Sequence, residues 1–418
     1  MEISTANQKA VNTGNSGSPL DLSSPQKRNM TLGLGTTLVL SVIAYQIAGL
    51  QQALLIWIGL FLGYALFHAR FGFTSAFRRL LAVGNGEQIR AHMIMLAAAS
   101  TLFAIILTTG IGFFGVEPSG YVFPAGVSVA VGAFLFGLGM QLGNGCASGT
   151  LYAVGQGRTE MVITLLGFIA GSVVGAWHWG FWMNETPALP AISLIENAGM
   201  GVFGGWLLQM LILGGIFALT IMIEKKRKPP KLRPLPTTKG FWARLIRGSW
   251  PLWVAALVLA VLNAITLMMR GNPWGITSAF ALWGSKAAMA MGIDVTGWTY
   301  WQGAKADALT QSVFFDTTSV MNFGVILGAF LASAAGGLFT VRKIPFKVGL
   351  AALIGGLLMG YGARIAFGCN IGAYFGGIAS FSLHGYLWMV MGLVGSYFAL
   401  YIRPLFGLSV PDKKDRFC

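Results

Sequence analysis

Of 418 residues, 55% are hydrophobic and only 10% charged, with a mean hydropathy of +0.69; soluble domains carry about 25% charged residues, so a water-soluble globular protein is excluded. The net charge of +15 would point to nucleic acid on a soluble chain, but most of the excess sits in short loops, where the retention of Lys and Arg on the cytoplasmic side accounts for it. Three cysteines without Cys-x-x-Cys spacing make no disulfide framework, zinc site or thioredoxin-like motif.

In chain order, residues 1–28 are polar and read as a disordered cytoplasmic tail. A bilayer-spanning helix needs about 20 mostly apolar residues, which predicts spans at 30–49, 52–68, 91–113, 124–142, 160–182, 200–223, 251–269, 319–340, 348–366 and 385–402. The first apolar run leads straight into more of the same, which reads as a retained span rather than a cleaved leader. Two shorter segments, 71–82 and 274–290, are too broken or too polar to cross and are expected to dip in and return. The stretch 225–247 holds nine basic residues, no acidic one and several prolines, so it is expected to be a cytoplasmic linker rather than a helix.

Lys27, Arg28, Arg78, Arg79, Arg90, Arg342, Lys343, Lys347, Arg403 and the basic tail fall on the linker's side of this topology. The opposite loops carry Glu117, Glu185, Glu196, Asp294, Asp307 and Asp316, with Lys305 and Arg270 as basic intruders. Both termini are therefore expected in the cytoplasm. The expected organisation is a tail (1–28), a first membrane unit with its connecting span (30–223), the linker (224–250), a second membrane unit (251–403) and a tail (404–418).

Two motifs recur in the same order on either side of the linker. "FGFTSAF" at 71–77 matches "WGITSAF" at 274–280 in five of seven positions. Gly132, Gly137, Gly139, Gly145, Cys146 and Gly149 fall 223 places before Gly355, Gly360, Gly362, Gly368, Cys369 and Gly372. Together they indicate a duplicated unit. The extra span at 200–223 turns the second copy over, so the fold class expected is an all-α polytopic membrane protein of two inverted repeats with re-entrant or broken helices. Such folds place a substrate near the bilayer midplane, and non-helical backbone at that depth must be covered by protein or line a water-filled cavity.

A buried cysteine is by itself an ordinary small core residue; the duplicated frame is what argues for function at Cys146 and Cys369. A neutral thiol is a weak hydrogen-bond donor and a soft, polarizable contact, suited to an anion containing sulfur or selenium. N–H groups in the turns at Gly145, Gly149, Gly368 and Gly372 would add anion-binding donors. Asn144 and Asn370 flank the cysteines and could donate to an anion or satisfy broken backbone. Thr74, Ser75, Thr277 and Ser278 offer hydroxyls at the two mouths or bond back to their own helices. Arg364, whose counterpart is Gln141, is a membrane-embedded charge and hence a site candidate, with snorkelling to the interface as the alternative. His384 reads as a polar cap at the start of the last span.

"HARFGFTSAFRR", "GAFLFGLGMQLGNGCASG" and "GYGARIAFGCNIGAYFGGIASFSLHGYLW" resemble the YeeE/YedE family of bacterial inner-membrane proteins, most of all its longer YedE-type members, over about residues 50–403. The resemblance implies an hourglass-shaped importer of thiosulfate, or a relative linked to selenium metabolism, in which cysteines along a central path pass the anion inward. Two of those positions map onto Cys146 and Cys369; a third would be expected where this chain has Gly72, with Gly275 at the corresponding place in the other half. No cofactor is expected. The partners expected are the lipid bilayer, the anion and a soluble cytoplasmic sulfur-carrier protein. A membrane-embedded thiol redox enzyme or sulfurtransferase, with His384 as the one plausible base for Cys369, is the alternative, and a channel for another solute a third reading.

Overall fold

The computed structural model describes residues 22, 24–196, 199–233, 240–341 and 343–417. Most of the N-terminal tail (1–21 and 23), residues 234–239 of the linker, Arg342 and Cys418 lie outside the described residues. Among the described residues ten helices or broken helices are long and apolar enough to cross a bilayer, one for each predicted span. The main ones are α1 (Lys27–Ala48), α2 (Leu50–Ala69), α3 (Phe73–Val83), α4 (Glu87–Thr109), α5 (Val127–Leu142), α6 (Ala147–Gly155), α7 (Thr159–Trp177), α8 (Gly201–Arg227), α9 (Leu252–Arg270), α10 (Thr277–Ala290), α11 (Thr317–Ala335), α12 (Phe346–Ile365) and α13 (Leu383–Ile402). The protein is an all-α polytopic membrane protein. Among the described residues one small sheet pairs β1 (Pro124–Gly126) antiparallel with β2 (Ala188–Ala191).

The two segments expected to dip are the short helices α3 and α10. The linker differs from expectation: α8 continues through Lys225–Arg227, and Phe241–Arg247 forms two further helical turns. Its apolar residues Phe241, Trp242, Leu245 and Ile246 favour a short helix that the prolines earlier in the stretch do not reach.

The helix breaks have local causes. Helix α2 stops where Arg70 turns left-handed, its N–H closing on the carbonyls of Leu66 and Phe67. Helix α5 stops before Asn144 (φ +57°), and the chain re-enters a helix at Ala147. The matching break after α12 has Phe367 at φ +58°. A bulky residue is rarely left-handed. Here the Phe367 ring stacks flat on Phe123 (4.8 Å, 5°) and meets Trp179 edge-on (5.5 Å), and that packing holds the turn.

Helices α5 and α12 cross antiparallel at the centre. A Cβ on Gly139 would lie 2.7 Å from the Gly355 carbonyl oxygen, and one on Gly132 2.6 Å from that of Gly362. In a bilayer, small residues are what permit such close van der Waals contact. Helix α7 packs on α12 as α13 packs on α5, α2 on α11 as α9 on α4, and α7 on α10 as α13 on α3. Every one of these pairs maps onto another when the segments before and after the linker are exchanged. Helices α1 and α8 lie outside this scheme and turn most of their surface outward. An Arg90–Glu224 ion pair (2.6 Å) fastens α8 to α4 near the linker.

Candidate functional site

Cys146 and Cys369 are free and buried, in one continuous apolar cluster. Each is the last extended residue before a helix: α6 follows Cys146, and a π-helix, Asn370–Gly376, follows Cys369. Those two segments touch one another. The Cys146 sulfur lies 3.4 Å from the Ser148 hydroxyl, and the Ile371 N–H donates to the Cys369 sulfur at 3.4 Å. The N–H groups of Gly149 and Gly372 also face their respective sulfurs. Both thiols thus sit where first-turn N–H groups converge, and a helix N-terminus favours negative charge.

The two breaks are braced alike. Gln141 donates from Nε2 to the Thr74 carbonyl (3.1 Å), and its counterpart Arg364 donates from Nη2 to the Thr277 carbonyl (2.5 Å). Arg364 also donates to the Tyr300 hydroxyl (2.5 Å). It is only 6% exposed, so it does not snorkel; it locks the start of α10 to α12. The Thr74 hydroxyl approaches the Cys146 thiol but completes no hydrogen bond. Asn370 is fully buried, with both amide atoms unpartnered among the described residues. Ser75 and Ser278 are engaged elsewhere, donating to Gln88 (2.8 Å) and Thr318 (3.1 Å). Asn144 accepts from Arg78 (2.9 Å). By repeat position its partner is Phe367, not Asn370, so one left-handed turn is polar and the other aromatic. His384 bonds Ser382 (2.6 Å) and packs against Gly377.

Two cavities open at the linker end of the bundle. One of about 760 Å³ is lined by Arg70, Ser75, Arg79, Gln88 and Tyr152 among others. A second of about 510 Å³ is lined by Arg78, Arg79, Asn144, Arg403 and part of the C-terminal tail. Arg78, Arg79 and Arg403 entered the sequence reading only as topology signals, because nothing in their spacing shows that they share a cavity wall. At the opposite end Lys305 lies over the Tyr300 ring (4.2 Å), with the Arg364 guanidinium 4.8 Å from the same ring. Among the described residues no cluster of three His, Cys, Asp or Glu could hold a metal ion.

A family model described as sulphur transport matches residues 68–398. The thiosulfate transporter TsuA of Escherichia coli is 26% identical over 360 residues, covering 83% of this chain and 94% of its own length. TsuA of Spirochaeta thermophila is 27% identical over 365 residues, 82% of this chain and 97% of its own. The probable transporter YedE of Escherichia coli is 29% identical, but over 168 residues, 40% of this chain and 41% of its own. The two TsuA matches run across far more of the chain than the YedE match does.

Proposed function

This chain belongs to the sulphur-transport family, the YeeE/YedE family its motifs resemble, and we propose that it carries thiosulfate, or a closely related small sulfur-containing anion, through a central path past Cys146 and Cys369. The observation that carries the proposal is the pair of free, buried thiols in one apolar core, each at the N-terminal end of a helix and each just after one of the crossing helices α5 and α12. Near-full-length similarity to two proteins named thiosulfate transporters supports the substrate class.

Converging N–H groups stabilise the anion's charge, the S–H of each cysteine donates to it, and polarizable sulfur meets polarizable sulfur. Thr74 and Asn370 hold donor capacity in reserve for it. The exchangeable helix pairs support two inverted repeats, and the basic linker supports a cytoplasmic-membrane protein with the α8–α9 side inward. The basic cavities on that side then form the exit, where a soluble sulfur carrier would receive the anion. A thiol enzyme would need a base at a cysteine; the hydrogen-bond neighbours of the two sulfurs are instead a hydroxyl and backbone N–H groups.

The test is growth of cells lacking other sulfate and thiosulfate uptake routes on thiosulfate as sole sulfur source. Expression of this chain should rescue them and drive uptake of labelled anion; no uptake by the wild type would sink the proposal, and a persulfide on either cysteine would favour the enzyme.

External pH gives a second expected result. Burial, helped by the nearby Arg364 guanidinium, pushes the Lys305 ammonium down to about 8. Lysine in an unfolded chain titrates near 10.4, so between those values the unfolded state binds more protons and the fold gains stability as pH rises. The attraction for anions moves the other way, since the Lys305 charge is lost above about pH 8. In proteoliposomes the KM for thiosulfate should rise severalfold between pH 7 and 9, and Lys305→Arg should flatten that rise.

A further inference from the structure

Helix α9 ends at Arg270, the end away from the linker. This guanidinium is an intruder in the charge pattern, and among the described residues it makes no ion pair. Its Nε and Nη1 atoms are buried and without a hydrogen-bond partner among the described residues. Asp316, a carboxylate in the same region, is taken up by the N–H (2.8 Å) and hydroxyl (2.6 Å) of Ser319, capping α11. Arg270 is half-buried, and two buried guanidinium N–H donors left without an acceptor are costly to keep.

What Arg270 faces is built. The position a Cβ on Gly275 would occupy lies 3.1 Å from the Tyr121 hydroxyl oxygen and 3.9 Å from Arg270 Nη1. Gly275 is the repeat partner of Gly72, and a side chain there would crowd the Tyr121 hydroxyl and come between it and Arg270 Nη1. Tyr121 is fixed from both directions: its N–H donates to the Ser380 hydroxyl (2.9 Å), and two residues earlier the Ser119 N–H donates to the Gly271 carbonyl (2.7 Å). Its ring packs against Gly376, the last residue of the π-helix that begins beside Cys369. Two further buried donors of the same stretch, Asn263 Nδ2 and Trp274 Nε1, also lack an acceptor among the described residues; Asn263 uses its oxygen on the Trp274 N–H (2.7 Å).

We propose that Arg270 and Tyr121, on either side of Gly275, form a binding site for a small oxyanion next to Cys369. The guanidinium Nη1 donates to one oxygen of the anion and the Tyr121 phenol to a second, the first a charge-assisted contact. Resting on the reading above, this site takes the oxygen end of thiosulfate and leaves its terminal sulfur for the thiol. The oxygen grip alone does not tell thiosulfate from sulfate, so sulfate competes here without passing on.

The test uses the purified full-length protein in proteoliposomes, with labelled thiosulfate as probe and unlabelled sulfate as competitor. Arg270→Gln should raise the KM for thiosulfate at least tenfold and weaken sulfate competition equally, with a maximal rate close to wild type, the signature of lost ground-state binding. Arg270→Lys should fall between, Tyr121→Phe should raise KM about threefold, and Gly275→Ala should raise it with both donors intact. A wild-type KM in Arg270→Gln overturns the site. Should that variant lose its fold by gel filtration and thermal unfolding, Tyr121→Phe and Gly275→Ala decide in its place. If the wild type moves no thiosulfate yet binds sulfate by calorimetry in an Arg270-dependent way, the oxyanion site stands and the substrate reading falls; if it binds neither anion, both fall.

Discussion

Cys369→Ala should lower thiosulfate uptake at least tenfold, and Cys146→Ser should do nearly as much. A donor lost from a buried site that has little else to offer costs about 1–3 kcal/mol, a factor of roughly 5 to 150. Serine keeps a donor but shortens the reach and gives up the soft contact, so its effect is the smaller. On the proposed path the two thiols act in succession, and either replacement makes its own step the slow one. The double variant should therefore fall little below the worse single one, rather than by the product of the two. Stability is not expected to confuse the result: each sulfur lies in packed surroundings, and removing the SH group or exchanging it for a hydroxyl costs about 1 kcal/mol. Initial rates of labelled thiosulfate uptake, normalised to protein in the membrane, measure the effect. Wild-type rates in Cys369→Ala would mean that the anion does not pass that thiol.

How far the sequence reaches is clearest at particular residues. Ten spans are legible because length and apolarity suffice to specify a crossing, and errors collect at their ends. Helix α4 starts at Glu87, earlier than its apolar run, because a carboxylate in the first turn suits the helix N-terminus. Helix α7 stops at Trp177, where the chain breaks and restarts as the short turn Trp179–Asn184; hydropathy runs on through that break. Cys146 and Cys369 were legible through their repeated frame, and Arg364 through its charge. Tyr121 was not, since an aromatic residue in a loop carries no signal until Ser380 and Gly376 surround it. The different settings of Asn144 and Asn370 were not legible for a related reason. Both flank a cysteine, but one is the left-handed residue two places before it and the other opens the helix after it, a difference of backbone that composition does not encode.

Gly355→Leu should cost about 3 kcal/mol or more, the upper part of the range for overpacking, or leave little folded protein to measure. A Cβ there would lie 2.6 Å from the Gly139 carbonyl oxygen and even closer to the Gly143 N–H. These are backbone atoms with no rotamer through which to retreat, so the helices themselves must separate. Gly139→Leu should act equally, with its Cβ 2.7 Å from the Gly355 oxygen and 2.9 Å from the Met359 nitrogen. Gly214→Leu on α8, where a Cβ meets nothing within 4 Å, is the matched control and should leave thermal unfolding in detergent unchanged. If Gly355→Leu melted with the wild type, the crossing would be looser than its geometry requires. The milder Gly355→Ala separates the fold from its use. Gly143 opens the turn that ends at Cys146, and Gly355 lies on the helix that leads into the break before Cys369. A small displacement at this crossing therefore moves both thiols at once, and uptake should drop further than the melting temperature does.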